Sequence, residues 1–264
     1  MPYLDINNTR VYYEEYGIGP DTLLFCHGIF LSSMVFKAQM DYFKARYRCI
    51  VLDLRGQGQS DAVEEAFELE QLVLDVAEFI RGLQAGPCHF IGLSVGANIG
   101  MQLAKEHREL IKSLVLINAN ADAERSKWRL GWQSLLIKLF GVKLIVNRLM
   151  KQLFSARFLV DELRSEEVQH LKSEIIKSKR RPVELLRAYM NRSSLQPLLG
   201  ELDMPTLIIA GERDLITPSD QSKNIKLKIP QARLAVIKEA GHCAPVEESW
   251  QVVNTMEVFL NGVH

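Results

Sequence analysis

The sequence predicts an α/β domain: a mainly parallel central sheet flanked by helices, with a helical segment inserted into it. Three observations predict it. Short apolar runs of strand length alternate with longer stretches of helical period near both ends of the chain. Most of those runs are apolar throughout, as strands covered on both faces must be. The strand signal stops between about residues 121 and 199 and then resumes.

The elements follow in order. Tyr3–Ile6 and Val11–Glu15 flank an Asn7-Asn8 turn and read as an opening hairpin. Thr22–Cys26 and Tyr47–Leu52 are strands, with a helix over Met34–Lys44 between them. Leu69–Leu83 places Leu72, Val76, Phe79, Ile80 and Leu83 on one helical face. His89–Leu93 is a buried strand, Val95–His107 a helix rich in small residues, and Ser113–Ile117 the next strand. Thr206–Ala210 and Arg233–Ile237 are two more. Pro245–Leu260 closes as a helix, since Val246, Trp250, Val253 and Met256 recur at helical spacing. In between, helical stretches at Trp128–Leu139, Val142–Leu153, Val160–Lys177 and Pro182–Met190 carry no convincing strand. The expected organisation is therefore a core of residues 1–120 and 200–264 with a helical cap over 121–199.

Composition narrows the function classes. The 264 residues carry 32 Lys plus Arg and 32 Asp plus Glu, so net charge is zero. A dedicated nucleic-acid binder would show a basic excess. The one basic cluster, Lys177-Ser178-Lys179-Arg180-Arg181, reads as a solvated helix end. No basic segment followed by an apolar run opens the chain, and no apolar run is long enough to span a bilayer, so no membrane partner is expected. Cys26, Cys49, Cys88 and Cys243 are scattered without a C-x-x-C pair, which fits packing thiols in a reduced, cytoplasmic protein. No metal-ligand spacing appears.

The chemistry concentrates at strand ends. Gly92-Leu93-Ser94-Val95-Gly96 follows a buried strand and opens a helix, the setting a nucleophile elbow requires. The tight turn leaves the Ser94 hydroxyl at the carboxyl edge of the sheet, above a helix N-terminus that favours developing negative charge. A serine hydroxyl needs a base at neutral pH. His242, in Ala240-Gly241-His242 between the last strand and last helix, falls on the same edge. Asp214, in Gly211-Glu212-Arg213-Asp214 just past Thr206–Ala210, supplies the carboxylate that orients the base. Asp122, after Ser113–Ile117, is the alternative acid. An oxyanion hole would take the Val95 N–H and, from Cys26-His27-Gly28-Ile29-Phe30, the Ile29 N–H, with His27 bracing the loop.

These motifs resemble the α/β-hydrolase fold family in content and order. The loop Asp53-Leu54-Arg55-Gly56-Gln57-Gly58-Gln59-Ser60-Asp61 also resembles the family's D-x-R-G-x-G-x-S-D segment. Within the family the chain is most similar to small bacterial esterases, enol-lactone hydrolases such as 3-oxoadipate enol-lactonase, and cofactor-free haloperoxidases. Ile29-Phe30 stands where haloperoxidase-like members carry Trp-Pro, which weighs against peracid chemistry. Gly96-Ala97-Asn98 replaces the Gly-Gly common after the elbow. The resemblance implies a cofactor-free serine hydrolase acting on a small ester or lactone with an apolar acyl group, as a monomer or homodimer. Phe30, Trp128 and Trp132 are the expected substrate contacts. A receptor-like relative with little turnover, and a carbon–carbon hydrolase or perhydrolase, are the alternatives.

Overall fold

The apolar runs pair into one eight-stranded sheet in a computed structural model that describes residues 2–63, 65–124, 127–178 and 182–263. The strands are β1 (Tyr3–Ile6), β2 (Thr9–Tyr16), β3 (Thr22–Cys26), β4 (Arg48–Leu52), β5 (Cys88–Leu93), β6 (Ile111–Ile117), β7 (Thr206–Gly211) and β8 (Arg233–Ile237). Their spatial order is β1-β2-β4-β3-β5-β6-β7-β8. The pairs β1/β2 and β2/β4 are antiparallel, and the rest are parallel. From β3 the chain steps outward to β4, then crosses back to β5 and continues the other way. The order therefore reverses between β3 and β5, and in open α/β sheets ligands bind outside the carboxyl ends of the strands at such a point.

Side chains alternate across the sheet, as the period of a strand demands. Leu24, Ile50, Leu52, Phe90, Leu114 and Ile208 pack with α2 (Leu69–Gly82), α3 (Val95–Glu106) and α9 (Ser219–Lys228). Leu23, Phe25, Val51, Ile91, Val115 and Ile209 pack the other way, with α1 (Lys37–Phe43) and α11 (Ser249–Leu260). Each such side chain contributes about 1.5–3 kcal/mol by leaving water. All four cysteines are free and buried. Burial pushes the Cys88 thiol up to about 12, so it packs as a small apolar group.

Between β6 and β7 the chain forms α4 (Lys127–Phe140), α5 (Val146–Leu153), α6 (Ala156–Val160), α7 (Ser165–Lys177) and α8 (Pro182–Asn191), with no strand among the described residues. Of the basic cluster at the end of α7, residues 179–181 lie outside the described residues. This helical segment is fastened to the chain just after β8. Cys243 N–H donates to the Leu153 carbonyl at 2.9 Å. The buried Glu247 carboxylate accepts from Ser155 N–H (2.8 Å) and Gly241 N–H (3.1 Å). Arg164 donates to the Val246 and Glu247 carbonyls while lying over the Phe158 ring.

Three local readings are corrected. The helix expected over 34–44 begins as a 3₁₀ turn, Ser33–Phe36, before α1. The closing helix is two: α10 (Ala244–Glu247) and α11, broken at Glu248, whose backbone leaves the helical region at φ −126°, ψ 51°. Arg164 takes the carbonyls that a continuous helix would have used. After the break Trp250 turns outward, 62% exposed, and Val252, Val253, Met256 and Phe259 fill the core instead. Helix α9 has no counterpart in the sequence reading, because only Ser222 and Ile225 of its ten residues are buried and no apolar period shows.

Two buried histidines make the fold acid-sensitive. His89 Nδ1 lies 2.7 Å from Ser113 Oγ. Burial, reinforced by the nearby Lys112 charge, holds its imidazole down to about 4. The unfolded chain takes up that proton near 6.5. Its contribution is thus full above pH 6.5 and is lost as pH falls toward 4, up to about 3 kcal/mol. Burial lowers His27 as well, with the same sign. Burial raises the Glu247 carboxyl, which acts in the opposite sense above its ordinary value. The test is therefore a difference. Urea unfolding should show wild type losing more stability than His89→Gln between pH 7 and pH 5; parallel losses would clear His89.

Candidate active site

Strand β5 ends at Leu93, and the next residue bends sharply. Ser94 has φ 58° and ψ −114°, in a region that costs a non-glycine residue about 1–3 kcal/mol. Hydrogen bonds hold it there. Its N–H donates to the Ile117 carbonyl at 2.9 Å, and its carbonyl accepts from Ala97 N–H and Asn98 N–H. The flanking glycines are required by contact. A Cβ on Gly92 would sit 2.4 Å from the Gly96 backbone, and one on Gly96 would sit 2.2 Å from the Cys26 carbonyl oxygen. Val95 is the first residue of α3, so its N–H is one of the donors without an intrahelical acceptor. Asn98, one turn on, donates its side-chain N–H to the Asn120 carbonyl at 2.6 Å.

The loop after β3 runs beside this turn: a Cβ on Gly28 would lie 3.1 Å from Ser94 Cβ. His27 is fully buried and its tautomer follows from its partners. Leu54 N–H donates to Nε2 at 3.0 Å, so Nδ1 carries the proton and donates to the Gly28 carbonyl at 2.7 Å. The neutral ring thereby ties the loop to the end of β4. Leu31 N–H closes a tight turn onto the Gly28 carbonyl at 3.3 Å. Phe30 takes the left-handed position in that turn, φ 68°, where glycine is usual. The buried Gln57 side chain accepts Phe30 N–H at 3.3 Å. Ile29 N–H is left without a hydrogen-bond acceptor among the described residues.

On the far side of β6, the loop after β7 carries Asp214. Its Oδ1 accepts from Ile216 N–H (2.7 Å) and Thr217 N–H (3.0 Å). Its Oδ2 lies 2.8 Å from His242 Nδ1 and 2.5 Å from Thr217 Oγ1. Asp214 and His242 are both buried. With a carboxylate against Nδ1, that nitrogen holds the proton and Nε2 keeps its lone pair. Asp122 sits elsewhere, its carboxylate accepting from Gln196 at 3.2 Å.

One residue absent from the sequence reading joins these pieces. Asn118 follows Ile117, the acceptor of Ser94 N–H, and is fully buried at φ 47°. Its side-chain N–H group faces the Gly241 (3.1 Å) and His242 (2.7 Å) carbonyls, and its Oδ1 accepts Gly211 N–H at 2.6 Å. The ends of β6 and β7 and the histidine loop thus meet on one amide, and the end of β5 joins them one residue earlier, through the Ile117 carbonyl. An asparagine at the carboxyl end of an apolar strand, a type that tolerates left-handed backbone, was the available signal.

The expected substrate contacts fall in different places. Phe30 is buried and lines a cleft of about 410 Å³ with Leu31, Met34, Asp53, Leu171 and Ile175, between the loop after β3 and α7. Trp128 and Trp132 expose 74% and 62% of their surface. They line a groove with Leu136, Ile145, Arg148 and Leu149 that includes none of Ser94, Asp214 or His242. Among the described residues no cluster of three or more His, Cys, Asp or Glu could hold a metal ion.

A family model described as the alpha/beta hydrolase fold matches residues 21–249. A protein named putative carbamate hydrolase RutD from Serratia proteamaculans is 27% identical over 86% of each chain. A 3-oxoadipate enol-lactonase 2 from Acinetobacter baylyi is 25% identical over 86% of this chain and 83% of its own. Among solved structures, the enol-lactonase of Burkholderia xenovorans superposes with TM-score 0.93 at 22% identity, covering 98% of this chain and all of that one. A thermophilic esterase from Thermogutta terrifontis gives TM-score 0.91 at 24% identity, covering all of this chain and 97% of that one. These superpositions speak for the fold.

Proposed function

The chain belongs to the α/β hydrolase fold family, and on that premise we propose that it is a serine hydrolase cleaving a carboxylic ester or lactone through an acyl-enzyme on Ser94. The observation that carries the reading is the buried His242–Asp214 pair at 2.8 Å, tied through Ile117 and Asn118 to a serine held in strained backbone. The esterase and lactonase names among its relatives support the substrate class.

In this mechanism His242 Nε2 takes the Ser94 proton as Oγ attacks the carbonyl carbon. The Val95 and Ile29 N–H groups receive the oxyanion, and Asp214 stabilises the imidazolium. The C–O bond breaks as His242 returns the proton to the leaving alcohol. Water then attacks the acyl carbon, giving its proton to His242. The bond from that carbon to Ser94 Oγ breaks as His242 passes the proton to Oγ, releasing the carboxylic acid and restoring the serine. Every step uses side chains and backbone of the chain itself. Residues 121–199 serve as the cap, and Phe30, beside the oxyanion turn, meets the acyl group. Trp128 and Trp132, in a groove that holds none of Ser94, Asp214 or His242, take a different role.

The test is turnover of aryl esters of graded acyl length, several lactones and an aryl carbamate, with Ser94→Ala as the blank. It is paired with labelling by a fluorophosphonate and mapping of the adduct. Hydrolysis together with an adduct on Ser94 supports the reading. Neither labelling nor any rate above the blank would sink it and favour a receptor-like relative.

A further inference from the structure

Helix α4 presents an apolar outer face. Trp128, Trp132, Leu135 and Leu139 follow at helical spacing and are 74%, 62%, 44% and 55% exposed, and Phe140 and Leu144, at and just beyond the end of the helix, are exposed at 65% and 60%. Only Ile137 of this helix is buried. A helix apolar on its outward side belongs against something, and a contiguous patch of this kind marks an interaction surface.

Charge says what kind. Residues 127–160 hold seven Lys and Arg and no Asp or Glu, in a chain that balances 32 of each, so the remainder carries an excess of seven acids. All seven cations are exposed, Lys138, Lys143, Arg148 and Lys151 among them. Among the described residues none of the seven is in an ion pair. Arg148 borders the same groove as both tryptophans. On α5, Val146, Leu149, Met150 and Leu153 are buried and the basic residues face outward.

We propose that the α4–α5 face docks on the surface of an anionic lipid bilayer. Tryptophan, leucine and phenylalanine beside unpaired lysine and arginine are what an interfacial helix needs. The rings and aliphatic chains settle at the headgroup–acyl boundary, and the cations meet lipid phosphates. A second copy fits poorly, because a two-fold contact would set this acid-free segment against itself. Docking is not spanning: no described helix is long and apolar enough to cross a membrane. The inference is independent of the role of Ser94.

The full chain would be floated with vesicles of phosphatidylcholine alone and of phosphatidylcholine mixed with phosphatidylglycerol. It should partition to the mixed vesicles only, release as salt rises, and shift its tryptophan emission to the blue. Each cation near an anionic surface is worth about 1 kcal/mol, a factor of about 5. Lys143→Glu with Arg148→Glu should therefore weaken partitioning by at least about 25-fold at unchanged melting temperature. Trp128→Ser with Trp132→Ser should abolish the blue shift. No partition to either vesicle, equal partition to both, or full binding by the charge-reversed variant would overturn the proposal. So would a self-associated dimer that buries the tryptophans, or capture of an acidic polypeptide without vesicle binding.

Discussion

Replacing Asp214 with asparagine should lower kcat for ester hydrolysis by about 10⁴-fold while leaving KM and the melting temperature nearly unchanged. The size follows from which nitrogen of His242 carries its proton. Oδ1 of Asp214 accepts two backbone N–H groups, from Ile216 and Thr217. An asparagine must keep its oxygen there, because an amide NH₂ facing those donors would leave buried groups unpaired. Its NH₂ then replaces Oδ2, 2.8 Å from His242 Nδ1. A donor at that position makes Nδ1 the acceptor and moves the ring proton to Nε2. The ring can then no longer take a proton from Ser94, although every heavy atom stays in place. Thr217 Oγ1, 2.5 Å from Oδ2, can turn to accept the new N–H, so the substitution leaves no donor stranded. Asp122→Asn, in a carboxylate that meets Gln196 instead, should leave kcat unchanged. Steady-state kinetics on the two variants with one aryl ester decides it: an Asp214→Asn enzyme that keeps most of its rate would remove the acid from the mechanism.

The parts of the site legible in the sequence are those where one residue type answers one local demand. At Gly92 and Gly96 any added Cβ would overlap neighbouring backbone atoms, so only glycine fits and the pentapeptide announces itself. Strands β3, β5 and β6 are buried along their length apart from one residue of β6, so their apolar runs stand out. Helix α9, polar on most of its surface, leaves no such trace. The break at Glu248 depends on Arg164, more than 80 residues away, and no local pattern encodes it. Trp128 and Trp132 show the same limit from the other side. Their spacing marks an apolar helical face, but which way that face points depends on how α4 packs, and it packs with those rings outward.

Asn118→Ala should cost about 3–5 kcal/mol of stability and most of the catalytic rate, although Asn118 would touch no substrate. Its amide bonds one buried N–H and faces two buried carbonyls, and losing it leaves each of these without its partner, at about 1–3 kcal/mol apiece before relaxation. The backbone adds to this, since φ 47° costs alanine about 1–2 kcal/mol and glycine almost nothing. Asn118→Gly therefore separates the two contributions. Urea unfolding should place glycine between wild type and alanine, whereas kcat should fall together in both variants, because both release the Gly241 and His242 carbonyls. A positioning role also predicts which kinetic constant moves. With the histidine loop free of β6, His242 would spend less time aligned on Ser94, so kcat should drop while KM holds. Fluorophosphonate labelling, which needs the same alignment, should slow in proportion. A pair of variants that lost stability but labelled and turned over at the wild-type rate would make Asn118 a strut of the fold and nothing more.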